Sequence, residues 1–230
     1  MNQLTRQLAE SALDGAYAQV SDVVSALDAG SFMLPSRCAG WAVADVLYHQ
    51  LLDARRALRT FASPATGAPD RDDVSYWRPF SADGDIPPGG AAAAEHARHV
   101  RIVASAFTPA ELTWEWTETA TAARRAARAC PHQLLSTQGH VLRTADFVGT
   151  LAVEAAVHYL DLTVAIPTAA APDPISLGLV WRVLDGILGE SPPDGWDDLT
   201  YVLKGTGRLA LTETERAELG PAAHRFPLFG

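Results

Sequence analysis

The sequence predicts an all-α protein with four main helices and a small C-terminal helical extension. Two observations support this class: apolar residues recur at helical spacing in long segments, and turn-forming residues separate those segments. The chain has 230 residues, of which 48% are hydrophobic and 20% are charged, so it can bury a substantial core. We expect the bundle to occupy residues 1–165 and the extension to occupy residues 166–230.

The composition excludes several classes of function. A net charge of −9 opposes contact with phosphate backbones, so we expect no nucleic-acid partner. No segment approaches the roughly 20 apolar residues of a membrane helix, and we expect a cytoplasmic monomer or homodimer without a membrane partner. Cys38 and Cys130 form no CxxC pair and have no neighbouring base in the sequence, which predicts a structural role for both.

Apolar periodicity marks the first two helices. The first is expected over residues 5–29 and to end before Gly30, which suits the position just after a helix. The second is expected over residues 42–61. A loop rich in proline, glycine and aspartate follows over residues 63–90, and its length is typical of a lid or a binding loop.

The middle of the chain is predicted to mix helices with short extended pieces. The third helix is expected over residues 91–107. The sequence TWEWT at 113–117 favours a strand, and residues 134–142 favour a second extended piece. The fourth helix is expected to begin after Thr144, a suitable N-cap, and to run to about residue 164.

Short helices are predicted in the last third of the chain, after a connector rich in proline and alanine. One is expected over residues 175–188 and a second over 197–204, although residues 201–211 also fit a hairpin. A last helix is expected to start at Thr212, which forms a capping-box pattern with Glu215.

The fourth helix carries an acid and an imidazole on its apolar face. At 100° per residue, Glu154 and His158 fall on the stripe formed by Phe147 and Leu151. A buried glutamate requires a partner, and the four-residue spacing suits two ligands of one divalent ion. Two other interpretations remain: a hydrogen bond between the two side chains, or an ion pair with a buried arginine. Asp161 is either an outer partner of a ligand or a polar helix end.

Other polar residues at helical or strand spacing are weaker candidates. Glu95 and His99 repeat the four-residue spacing, but their charged neighbours indicate a solvated face. His96 aligns with apolar residues and is interpreted as a core histidine that could also reach a bound ligand. Gln138 and His140 alternate in an extended segment, so they are expected to share one face, either toward a pocket or in a structural hydrogen bond.

His49 lies off the apolar stripe of the second helix. The pattern alone therefore predicts a side chain that faces the surface or a groove.

Two segments resemble the DinB-like superfamily, specifically the N-terminal domain of mycothiol-dependent maleylpyruvate isomerases. The first is RCAGWAVADVLYH at 37–49. The second comprises TQGHVL at 137–142, DF at 146–147 and VEAAVHYLDL at 153–162. With the connecting helices, the resemblance extends over about residues 5–165.

The resemblance implies an antiparallel four-helix bundle that holds a divalent metal, most simply Zn²⁺, through His49, Glu154 and His158. It also implies mycothiol as a co-substrate, whose thiolate attacks a small electrophile in a transfer or an isomerisation. Gln138, His140 and His96 are then candidates for substrate binding. Two alternatives use the same bundle: a hydrolase with a metal-bound hydroxide, and a ligand-binding protein without catalysis.

The sequence departs from the family pattern in two respects. Leu151 stands where the family often has an arginine after the residue matching Thr150. The resemblance also implies, for maleylpyruvate isomerase itself, a C-terminal domain that contributes a substrate-binding arginine. Residues 166–230 do not match that domain, and Arg182 and Arg208 are candidates for this arginine by residue type only. Maleylpyruvate itself is therefore not assigned as the substrate.

Overall fold

The computed structural model describes residues 2–81, 84–86 and 90–230, and it confirms the all-α class. The described residues form these helices: α1 (Arg6–Ala26), α2 (Val43–Phe61), α3 (Ala91–Ala104), α4 (Pro109–Ala129), α5 (Thr144–Leu162), α6 (Pro174–Leu188), α7 (Asp198–Gly205) and α8 (Glu213–Leu219). Two strands, β1 (Leu134–Thr137) and β2 (His140–Arg143), pair antiparallel. Within these ranges, no helix combines the length and apolarity needed to cross a membrane.

Helices α1, α2, α4 and α5 form the bundle. α1 packs on α5 and α4, and α2 packs on the same two helices. The core between them is apolar, and Tyr17 of α1 meets Trp116 of α4 edge to face, with ring centroids 5.1 Å apart. α5 is buried along almost its whole length, which explains why its sequence is apolar on more than one face.

The third helix of the bundle is α4, and the expectation of a strand at 113–117 is wrong. Thr108 and Glu111 form a capping box, and an alanine-rich stretch continues the helix to Ala129. This cap and the alanines outweigh the β propensity of the threonines and tryptophans. α3, predicted as a bundle helix, packs mainly on α2 and buries only Val100 and Ala104.

Several helix boundaries differ from the predictions; α3, for example, ends at Ala104 and not at residue 107. α1 ends at Ala26, and Asp28 starts a 3₁₀ helix over Ala29–Met33 by accepting a hydrogen bond from the Ser31 backbone N–H. Gly30 therefore lies inside that 3₁₀ helix and does not terminate α1. α5 begins at Thr144 itself, whose hydroxyl donates to the carbonyl oxygen of His132.

The extended piece at 134–142 is a tight hairpin. Gln138 and Gly139 form its two-residue turn, with φ of 50° and 82°, as a type I′ hairpin turn requires. The loop over 63–90 bridges to this hairpin through Pro64 and Leu135. Part of the predicted lid, residues 82–83 and 87–89, lies outside the described residues.

The C-terminal extension packs on the bundle through α6, which contacts α1 and α5, while α7 packs on α6. Asp173 caps α6 by accepting a hydrogen bond from the Ser176 N–H. The alternative of a hairpin over 201–211 is wrong, because α7 continues to Gly205. The capping box of Thr212 and Glu215 is present at the start of α8.

Candidate metal centre

Three side chains from two bundle helices converge beside α3. His49 comes from α2, and Glu154 and His158 lie one turn apart on α5. Glu154 Oε1 lies 3.1 Å from His49 Nε2 and 3.4 Å from His158 Nε2. One donor atom of each residue lies within 4.8 Å of the others. Each side chain is between 12% and 24% exposed, so the cluster is largely but not completely shielded from solvent.

The outer nitrogen of each histidine has its own partner. His158 Nδ1 lies 2.9 Å from Asp161 Oδ2, and His49 Nδ1 lies 3.1 Å from His96 Nε2. These contacts direct both Nε2 atoms toward Glu154. Partial burial and the neighbouring His49 lower the pKa of His96, so His96 is neutral at neutral pH. Its Nε2 can then accept a hydrogen bond from the Nδ1–H of His49 when His49 Nε2 serves as a metal ligand.

The electrostatics of the cluster are set by hydrogen bonds that oppose burial. Burial raises the pKa of Glu154, but hydrogen bonds from His158 and His49 hold that pKa well below its usual value. Burial lowers the pKa of His158, but hydrogen bonds to Asp161, Cys38 and Glu154 raise it well above its usual value. Without a metal, the buried cluster is therefore an imidazolium–carboxylate pair.

This donor set fits a catalytic divalent metal. Two imidazole nitrogens and one carboxylate oxygen are the ligands of several catalytic zinc sites, which keep further positions open. A zinc ligand histidine usually donates its other N–H to an acceptor, and both histidines have such an acceptor in place. Among the residues that the structure describes, Glu154 does not pair with a buried arginine, because the charged partners of its carboxylate are His49 and His158.

A cavity of about 960 Å³ opens onto the three residues. Its walls come from α2, the 63–90 loop, α3, the hairpin turn, α5 and the C-terminal extension. One wall is aromatic: Trp41, Tyr76, Trp77, Phe80 and Phe229. The other walls carry four arginines: Arg55, Arg56, Arg59 and Arg208.

The three residues predicted to bind substrate have different positions. Gln138 lines the cavity, where its Oε1 accepts from the Tyr76 hydroxyl at 2.6 Å. His140 is not among the cavity-lining residues and pairs with Asp70 at 2.7 Å. The expectation that Gln138 and His140 share one face is wrong, because the hairpin turn falls between them.

His96 lines the cavity with an exposed side chain, so its interpretation as a core histidine is wrong. α3 is peripheral, and its apolar alignment does not face the bundle core. Glu95 and His99 are exposed, as expected, although His99 reaches the cavity wall.

Cys38 also differs from its prediction. Its Sγ lies 3.3 Å from Asp161 Oδ2 and 4.0 Å from His158 Nδ1, so acid and base groups do surround it. Cys38 and His158 are 120 positions apart in the sequence, so no local sequence pattern predicts their contact. Cys130 is buried, with Sγ 3.9 Å from the carbonyl oxygen of Phe61, which fits a structural role.

The sequence contained an unused signal for two further cavity residues. Asp53 and Arg56 follow His49 at spacings of four and seven, which places all three on one face of α2. Arg56 donates to Asp53 through Nε at 2.9 Å and to Gln138 Oε1 through Nη1 at 3.2 Å. These contacts hold a guanidinium group at a fixed place in the cavity wall.

The departures from the family pattern have structural counterparts. Leu151 is fully buried in the bundle core. Arg182 pairs with Asp73, with Nε 2.5 Å from Oδ2, and does not line the metal-side cavity. Arg208 does line that cavity, although its sequence context gave no reason to prefer it to Arg182.

Comparisons with known proteins agree with this architecture. A family model described as the mycothiol maleylpyruvate isomerase N-terminal domain matches residues 13–163. A crystal structure of the mycothiol-dependent maleylpyruvate isomerase is similar in fold, with a TM-score of 0.53 and 15% identity over 82% of this chain and 72% of that chain. A mutant of that enzyme gives a TM-score of 0.51 and 17% identity at the same coverage. A search of curated proteins found no match.

Proposed function

This chain belongs to the mycothiol maleylpyruvate isomerase N-terminal domain family, and from that membership we propose that it is a metal-dependent enzyme. The metal is a divalent ion, most simply Zn²⁺, held by His49, Glu154 and His158. The enzyme activates a low-molecular-weight thiol, mycothiol, for transfer to a small electrophile or for isomerisation of that electrophile. The convergence of three donor atoms in the wall of a large cavity carries the proposal.

The ligand atoms are His49 Nε2, His158 Nε2 and Glu154 Oε1, because these are the atoms that face one another. When bound there, a zinc-type ion lowers the pKa of a coordinated thiol, so that the thiolate is the nucleophile at neutral pH. His96 and Asp161 orient the two imidazoles from the outside. They turn each Nε2 toward the centre of the site.

The cavity is large enough to hold a thiol and a small electrophile at the same time. Its volume of about 960 Å³ is at the upper end of the usual range for ligand pockets. The aromatic wall around Trp77 and Phe80 offers an apolar surface against which a small electrophile can pack. Arg56 and the Gln138 side chain supply fixed polar contacts for orienting a substrate.

The proposal is tested by measuring bound metal and thiol-dependent activity in the same preparation. We expect about one zinc per chain by elemental analysis, and a rate above that of free mycothiol with at least one member of an electrophile panel. Glu154→Gln should lose both properties. The matched control Glu95→Gln, which removes a glutamate at the same spacing on exposed α3, should retain both.

Two outcomes contradict this function. Turnover of electrophiles by the zinc-loaded protein without any thiol, abolished by a chelator, indicates a hydrolase. Purified protein without metal, which also fails to take up added zinc, indicates a ligand-binding protein without catalysis.

A further inference from the structure

We propose that Arg208, from the C-terminal extension, is a positioning residue of the metal centre and acts through Asp161. This inference rests on the proposed function, since it concerns how one ligand of that site is held. It makes the extension a part of the active site that the bundle alone does not supply.

Asp161 connects the extension to a ligand. Its carboxylate is fully buried, and Oδ2 lies 2.9 Å from His158 Nδ1. On the other side, Arg208 Nη2 donates to the same Oδ2 at 2.9 Å, and Nε donates to Oδ1 at 3.1 Å. One carboxylate therefore accepts from the imidazole and from a two-pronged guanidinium.

The chain of contacts fixes the imidazole of His158. A buried carboxylate that is ionised accepts the Nδ1–H and leaves Nε2 as the ligand atom. Burial of that carboxylate without a counter-charge is costly, and Arg208 supplies the counter-charge in a geometry that also restricts rotation of Asp161. Removing Arg208 is expected to loosen His158 although the two residues do not bond to each other.

Most of the N–H donors of Arg208 are engaged with the protein. Besides the two bonds to Asp161, its Nη1 donates to the carbonyl oxygen of Thr206 at 2.7 Å. Three of the five N–H donors of the guanidinium, one on each nitrogen, are thus engaged with the protein, although the side chain borders the cavity. These contacts favour a positioning role over direct substrate binding.

The same contacts argue against a second metal ion at this cluster. Cys38, His158 and Asp161 lie close enough to share an ion. The guanidinium of Arg208, however, already donates to the Asp161 carboxylate and would repel a cation there. We therefore assign the cluster as support for the neighbouring site.

Arg182 provides a matched control within the same extension. It also forms a two-pronged pair with a buried carboxylate of the loop, Asp73, through Nε at 2.5 Å and Nη2 at 3.4 Å. Its side chain is 21% exposed, against 13% for Arg208. The Arg182 pair joins extension to loop with no contact to a metal ligand.

The experiment compares Arg208→Met, Arg208→Lys and Arg182→Met with the wild type. Zinc affinity is measured by competition with a chelator, the cobalt-substituted forms by visible absorption, and the metal-free forms by thermal unfolding. We expect Arg208→Met to lose about 10–100-fold in zinc affinity and to change the cobalt spectrum, with partial recovery in Arg208→Lys. Arg182→Met should lower the unfolding temperature but bind zinc as the wild type does.

Two results would overturn the inference and leave the proposed function intact. The first is a zinc affinity of Arg208→Met within twofold of the wild type, and the second is a raised KM with unchanged metal binding. A wild-type chain that binds no metal defeats both the inference and the proposed function. If Arg208→Met does not fold, the zinc-loaded wild type decides: nitrogen NMR should report a protonated Nδ1 and a metal-bound Nε2 on His158. Binding through Nδ1 would contradict the role of Asp161 and Arg208.

Discussion

The proton on His158 occupies the place that a metal would take. Hydrogen bonds to Asp161, Cys38 and Glu154 outweigh burial and raise the pKa of His158 well above its usual value in the metal-free protein. A metal ligand must be the neutral imidazole, so binding of zinc has to release this proton. The acid–base state of one residue thus sets how the site responds to pH.

Zinc affinity is therefore expected to rise with pH, by up to about tenfold per pH unit for one released proton, and to level off once the pH exceeds the raised pKa of His158. Calorimetry in buffers of different ionisation enthalpy measures the number of protons released. His140→Gln is a suitable control, because His140 pairs with Asp70 away from the cavity. Binding with no proton release at pH 7 would show that His158 is already neutral.

The same raised pKa has a consequence for folding. The contribution of protonated His158 to stability is fully present below the pKa of the unfolded chain, about 6.5, and is lost as the pH rises through the higher pKa of the folded protein. In the proposed metal-bound form, zinc would replace this proton and remove the dependence.

Individual site residues were predictable to different degrees. Glu154 and His158 stand out because polar groups interrupt an apolar stripe of α5. The search for polar residues on an apolar stripe does not identify His49, because a residue that faces a cavity lies off the core stripe of its helix. Arg208 approaches Asp161 over a separation of 47 residues, and only the packed fold brings them together.

At the scale of elements, apolar periodicity identified most helices but not their roles. α5 and α2 were predicted nearly at their observed bounds, because both bury continuous apolar stripes. α3 was predicted as a bundle helix because its alanines favour a helix, yet it has little to bury. Residues 113–117 of α4 were predicted as a strand because tryptophan and threonine favour strands. Burial depends on tertiary packing, which propensity does not encode.

In α5, Leu151 stands where the family often has an arginine, and its side chain packs in the bundle core. Leu151 is fully buried, so Leu151→Arg would place a charge in the bundle core and should destabilise the protein by several kcal/mol. Leu151→Met conserves volume and should cost less than about 1.5 kcal/mol. Urea unfolding monitored by circular dichroism measures both. A tolerated arginine would mean that its side chain reaches the cavity and Glu154.

At the scale of the whole molecule, we propose residues 1–165 as the metal-binding bundle and residues 166–230 as an extension that folds with it. The side-chain amide of Gln19, in α1, makes two hydrogen bonds to the backbone just before α6. It donates to the Ala171 carbonyl oxygen and accepts from the Asp173 N–H, each at 2.6 Å. The Arg182–Asp73 and Arg208–Asp161 pairs add charged contacts. With α6 packed on α1 and α5, the two parts share a continuous core.

A shared core predicts that damage in the extension spreads to the bundle. Leu184 of α6 is fully buried, and Leu184→Ala should cost about 2–5 kcal/mol. In one cooperative unit, hydrogen exchange of α5 should accelerate by the same factor as that of α6, because both open in the same global event. Leu199→Ala, at an exposed position of α7, is the control and should change exchange little. Faster exchange confined to α6 and α7 would instead make residue 165 a boundary between independently unfolding domains. Unfolding of the extension would then remove Arg208 from Asp161, and the proposed metal centre would remain in the bundle as a weaker site.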